Sequence, residues 1–110
     1  MSAGNFFEDH VEDLADGNDF VPDISGQTDT KAVEIHNILH GGNCNVFVEY
    51  DPDDDDSFSL SIQIDDLIGE GMSQINKIEI NSNSEDMRLR IHNTSGDTAH
   101  FAVTGVEVIE

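Results

Sequence analysis

The sequence predicts an α+β domain in which two N-terminal helices pack on one face of a roughly five-stranded antiparallel β-meander. Two observations carry this reading. Apolar residues recur at helical spacing as far as His40, and from Asn45 onward they alternate with polar ones. The alternating segments are separated by short turn-forming stretches, which favours antiparallel neighbours. A chain of 110 residues suffices for one modest core, so 1–110 is read as a single domain.

The first helix is expected over 5–16. Phe7, Val11 and Leu14 form its apolar stripe with Phe6 beside them, and Gly17-Asn18 is its stop. Residues 19–27, with Pro22 and Gly26, read as an irregular connection. The second helix is expected over 30–40, capped by Asp29 or Thr30, buried through Ala32, Ile35, Ile38 and Leu39, and ended by Gly41-Gly42. Val46, Val48 and Tyr50 then mark a first strand. Phe58, Leu60, Ile62 and Ile64, alternating with Ser57, Ser59, Ser61 and Gln63, give the cleanest half-buried strand in the chain. Residues 65–73 read as a loop or short helical turn around Gly69 and Gly71. Ile78 and Ile80 mark a third strand, and 81–85 carry turn chemistry. Met87, Leu89 and Ile91 face inward on a fourth strand, with Arg88, Arg90 and His92 outward. The last strand, about 99–109, slips in phase between Phe101/Val103 and Val106/Val108, which places a β-bulge at Gly105.

Charge is the dominant functional signal. The chain has 24 acidic and 4 basic residues, a formal net charge of −20, and no basic residue in 1–30 or 32–76. A surface this negative excludes direct binding to nucleic acid or anionic lipid, which needs Lys and Arg. It favours fast, salt-sensitive capture of positive clefts. The single cysteine, Cys44, allows no internal disulfide and suits a reducing compartment. Residues 1–17 have neither a basic nor an apolar leader region, and no apolar run approaches a membrane span. The expected location is the cytoplasm, that of the host cell if the chain is phage-encoded. No membrane partner is expected.

Two acidic groups stand out as candidate partner-binding surfaces. Glu8, Asp9, Glu12, Asp13 and Asp16 would form rows of like charge on the first helix, and such pairs destabilise a helix unless a partner compensates them. Asp51, Asp53, Asp54, Asp55 and Asp56, continued by Asp65 and Asp66, would form an acidic hairpin tip. Lys77, Arg88 and Arg90 are expected to pair across the sheet with Glu79, leaving both groups uncompensated.

Other constellations are weaker. Asp51, Asp53 and Asp55 have the spacing of a calcium loop, but Asp56 and Ile62 stand where such a loop needs Gly and Glu. His36 and His40 would lie four apart on the second helix with Cys44 four residues later, yet a fourth ligand is missing, so no metal site is assigned. Their plain alternative is a polar helix edge beside a semi-buried thiol. No phosphate cradle, nucleophile pattern or isolated carboxylate pair points to catalysis. No cofactor and no enzyme are expected.

A small, single-domain, strongly acidic chain without catalytic motifs resembles the DNA-mimic inhibitors of phages and mobile elements: anti-CRISPR and anti-restriction proteins, and inhibitors of DNA-repair enzymes. The resemblance is one of class, carried by size and charge. It implies an inhibitor that imitates nucleic-acid phosphates and blocks a basic nucleic-acid-binding protein or complex, such as a defence complex or nuclease. Two alternatives stand beside it. One is an immunity protein that neutralises a basic nuclease toxin. The other is a salt-adapted acidic domain with a structural or interaction role, against which the eleven isoleucines and nine asparagines weigh.

Overall fold

The structure, a computed structural model, describes residues 2–23, 32–53, 55, 57–81 and 87–109. Among these there is no helix. Eight strands run in chain order: β1 Ser2–Leu14, β2 Asp19–Phe20, β3 Ala32–His40, β4 Cys44–Tyr50, β5 Leu60–Leu67, β6 Gly71–Asn81, β7 Met87–Asn93 and β8 Ala99–Ile109. They form two four-stranded sheets, β1-β8-β3-β6 and β2-β7-β4-β5, with every neighbouring pair antiparallel. The expected α+β arrangement is therefore wrong: the chain is a β-sandwich.

Both expected helices are strands, and bulges explain why their spacing looks helical. On β1, Phe7 and Val11 are four apart, which keeps one face in a strand as well as in a helix. A register shift between Val11 and Leu14 against β8 then brings Leu14 onto the buried face. On β3, Val33 and Ile35 are buried, a register shift falls between Ile35 and Asn37, and Ile38 and His40 are buried beyond it. An alternating pattern with one extra residue reads as i, i+3, i+5, close enough to a helical stripe to mislead. The irregularity does lie opposite Gly105, but the extra residue sits on β3 rather than on β8. A side chain at Gly105 would collide with the Glu34 carbonyl, which keeps this crossing free for glycine alone. The proposed caps Asp29 and Thr30 and the turn at 82–85 lie outside the described residues.

The later strands fall where the alternation puts them, but they do not form a meander. Only β4 and β5 are consecutive strands paired in one sheet. The other connections cross the sandwich, so the chain passes back and forth between the two layers. The segment expected as a loop at 65–73 is mostly strand. A tight turn at 68–70, with Gly69 at φ +76°, joins the end of β5 to the start of β6.

Phe7, Val33, Ile35, Ile38, Ile80, Phe101 and Val103 of the first sheet face Val46, Leu89 and Ile91 of the second, all essentially inaccessible. Each such side chain contributes about 1.5–3 kcal/mol by leaving water. Asn93 closes one end of this core. It is wholly buried, yet its amide nitrogen donates to the Leu14 and Asp97 carbonyls at 2.8 and 2.9 Å, and its amide oxygen accepts from the Ser95 amide at 2.9 Å. All its polar atoms are thus satisfied.

Candidate interaction surfaces

Alternation along β4 and β7 sends Asn45, Phe47 and Glu49 outward opposite His92, Arg90 and Arg88. The arginines lie over the carboxylate. Arg88 Nη2 is 2.8 Å and Arg88 Nε 2.9 Å from Glu49 Oε1, and Arg90 Nε is 2.9 Å from Glu49 Oε2. Arg90 Nη1 and His92 Nδ1 each reach Asp19 Oδ1 at 2.8 Å. The Arg88 guanidinium also covers the Phe58 ring at 4.0 Å, and that of Arg90 the Phe47 ring at 4.2 Å. Glu49 is thereby only 4% exposed. Burial pushes its carboxyl up, but hydrogen bonds from Arg88, Ser61 and Arg90 outweigh that and hold it below its usual range. Burial likewise raises Asp19, and Arg90 with His92 brings it below normal. Arg88 and Arg90 thus pair with Glu49 and Asp19 rather than with Glu79 as expected. Glu79 lies on β6 in the other sheet, opposite Glu34; the side chain of Lys77 lies outside the described residues.

The proposed acidic rows are rearranged by the change from helix to strand. Glu8 meets His10 Nδ1 at 2.8 Å. Asp9 accepts the amides of His10 and Asp23 at 2.9 and 2.8 Å, and Asp16 accepts that of Gly96 at 2.9 Å. Glu12 and Asp13 stay exposed. In the second group, Asp51 is buried and accepts the Asp55 amide at 3.2 Å, Asp55 accepts that of Ser57 at 3.0 Å, and Asp65 that of Asp66 at 2.9 Å. Asp53 and Asp66 are exposed, and Asp54 and Asp56 lie outside the described residues. Five of the ten described carboxylates therefore accept backbone N–H groups. The two groups are not brought together either: β1 is an edge of the first sheet beside β2, and β5 is the far edge of the second. Acids appear on both sheets and at both edges rather than on one face.

His36, His40 and Cys44 do not converge. His36 Nε2 contacts Glu34 at 2.6 Å on the outer side of the bulge. His40 points into the sandwich, donating through Nδ1 to the Gly69 carbonyl at 2.7 Å, with Nε2 2.8 Å from Ser73 Oγ. Cys44 is buried, and burial, with Asp65 and Asp66 adding to it, pushes its thiol up to about 12. Among the described residues no group of three or more His, Cys, Asp or Glu is arranged to hold a metal, and no helix is long and apolar enough to cross a membrane.

The least expected surface is apolar. On the edge strand β5, Leu60 is 55%, Ile62 58% and Ile64 38% exposed, and Ile68 in the following turn is 71% exposed. Ile62 lies opposite Val48, whose side chain is in the core, and Leu60 opposite Tyr50. Leu60 and Ile62 are thus on the core-facing side of the second sheet, with Ile64 following by alternation, where the first sheet leaves them uncovered; Ile68 instead follows Leu67, the residue that faces the core opposite Cys44.

Gp30 of Haloferax tailed virus 1 is 37% identical to this chain over 108 residues, covering 96% of this chain and 90% of Gp30. The chain belongs to the Gp30 family. No family model matches it. The fold is similar to that of the Drosophila NLP-core, a crystal structure described for pentamer formation and histone binding. The match has a TM-score of 0.50 at 14% identity and covers 97% of this chain and 99% of that one.

Two features of this Gp30-family chain escape a reading based on period and charge. The Glu49–Arg88–Arg90–Asp19 network depends on which strands are neighbours, and sequence order does not supply that. The exposed apolar strand did leave a trace. Residues 57–64 carry no charge in a chain whose residues are 25% charged, and they lie between Asp56 and Asp65. Good alternation was read as burial, although alternation fixes only which face the residues share.

Proposed function

We propose that this chain is a non-enzymatic structural or interaction protein of a tailed virus, suited to high salt, that works as an assembly of copies of itself. The carrying observation is the combination of acids dispersed over both sheets with one uncharged stretch of edge strand, 60–64, whose Leu60, Ile62 and Ile64 are open to solvent. A docking face for a basic partner would gather its acids together. Dispersed acids instead serve hydration and solubility wherever salt is concentrated. The NLP-core, similar in fold, is described as pentamer-forming, which supports self-association. The test is light-scattering mass of the purified chain in molar potassium chloride. A mass at a multiple of 12.1 kDa is expected, and 12.1 kDa at all concentrations would refute self-association.

A second reading keeps the inhibitor class: capture of a basic nucleic-acid-binding protein by phosphate mimicry. Exposed Glu12, Asp13, Asp53 and Asp66 favour it, as does the histone binding described for the NLP-core. Its signature is opposite in sign. Binding to such a partner would compete with DNA and weaken steeply as salt rises, whereas self-association through an apolar face holds or strengthens.

A further inference from the structure

We propose that the apolar face of β5, centred on Ile62 with Leu60 and Ile64, is where one copy of this chain binds a second copy. The proposal rests on the self-association reading above and assigns it a surface.

The side chains themselves point there. Scattered single apolar residues are normal on a protein surface, but three along one edge strand, each 38–58% exposed, are not. Together they make an apolar patch on the order of 300 Å², the lower end of the size that marks interaction sites. The half-exposed Tyr50, opposite Leu60 on the same face, adjoins the patch. The row continues the buried core, because Ile62 is paired with core residue Val48. A partner placed here would extend that core past the edge of the first sheet.

Charge identifies the occupant. A basic partner would be recognised through acids, yet 57–64 contain none. Two copies of a chain with net charge −20 repel almost everywhere. They can approach closely only where neither carries charge, and this strand offers such a stretch on both. β5 is also the open edge of its sheet, so its backbone groups on that side remain available to the incoming copy. Salt lowers the remaining repulsion, since the screening length is about 3 Å at 1 M.

The experiment compares the unaltered chain with Leu60→Thr/Ile62→Thr in molar potassium chloride, by light-scattering mass across a concentration series. Threonine keeps strand propensity and removes apolar surface, and circular dichroism checks that the sheet signal is retained. The expected result is a multiple of 12.1 kDa for the unaltered chain and a dissociation constant raised at least about a hundredfold in the variant. Phe6→Thr, which alters a 71% exposed aromatic away from this strand, should leave the mass unchanged. A folded double variant that keeps the full mass overturns the β5 assignment and leaves self-association standing. An unaltered chain that stays at 12.1 kDa overturns both. Hydrogen exchange on the unaltered chain reads the same surface without substitution. Amides of 60–64 should lose protection on dilution while those of central strand β3 keep it; unchanged protection at 60–64 would also overturn the assignment.

Discussion

Glu49→Gln removes one charge from a chain that has twenty too many, so by net charge alone it should stabilise. The structure predicts the opposite. Glu49 is 4% exposed and accepts three contacts of 2.8–2.9 Å from two guanidinium groups. Hydrogen bonds to charged groups are worth about 1.5–3 kcal/mol each, and removing one partner of a buried ion pair costs about 3–5 kcal/mol. Two facts reduce that here. The Arg88 and Arg90 side chains remain 34% and 19% exposed, and each keeps a second partner in Phe58 or in Asp19 with Phe47. Glutamine also retains one acceptor oxygen. A loss of about 2–3 kcal/mol follows, or a Tm lower by roughly 10–15 °C for a domain of this size. The pH dependence is a second readout. The folded carboxyl titrates below its ordinary 4.5, so its stabilisation is present above that value and disappears as pH falls through the folded pKa. The variant should therefore lose less stability between pH 6 and pH 3 than the unaltered chain. Thermal unfolding by circular dichroism in molar potassium chloride, with repulsion between exposed acids screened, measures both. A Tm change under about 3 °C, or an unchanged acid limb, would show that the arginines are held by their aromatic neighbours rather than by Glu49.

Three further outcomes are expected. Neutralising exposed Glu12 and Asp13 together (Glu12→Gln/Asp13→Asn) should raise Tm slightly in dilute buffer, by under about 1 kcal/mol, and leave it unchanged in molar salt, because neither side chain is buried; melts at the two salt concentrations check this. Gly105→Ala should cost about 1–3 kcal/mol or more in chemical denaturation, since the new methyl group would meet backbone atoms of Glu34 and Ile35 that no rotamer change can clear. Cys44 should resist a thiol reagent at pH 8 in the folded chain and react at once in denaturant, because it is buried and its thiol lies at about 12; rapid labelling of the native chain would contradict its position.

What the sequence discloses about this fold depends on distance along the chain. β4, β7 and β8 are read correctly because Val46/Val48, Leu89/Ile91 and Phe101/Val103 alternate without interruption over their buried stretches. β1 and β3 are misread because each contains an irregularity, and one extra residue turns a period of two into something near 3.6 over a short window. Propensity offered a correction that charge obscured: Val33, Ile35 and Ile38 are β-branched, and a helix stripe built on them was the weaker choice. The acidic residues were visible at once as composition, but their arrangement was not. Asp9, Asp16 and Asp51 serve amides 14, 80 and 4 residues away, which only the folded chain brings near. The apolar strand was noticed and then assigned to the wrong side of the solvent boundary.

Acidity and self-association bear on each other through salt. A monomer with net charge −20 tolerates its own repulsion poorly in dilute buffer, and an assembly multiplies that charge in a larger body. Both costs fall together as the screening length shrinks to a few ångströms, less than the distance between neighbouring exposed acids on alternate strand positions. The attractive side does not fall with them. The proposed contact through Leu60, Ile62 and Ile64 involves no charged side chain to be screened, and Glu49 at the centre of the arginine network is almost inaccessible. High salt therefore removes what opposes folding and assembly while leaving what drives them. A surface evolved to grip a basic partner would behave in the reverse sense, with its attraction lost first. The sign of the salt response separates a protein adapted to its medium from one adapted to a cationic target, and the placement of these residues favours the former.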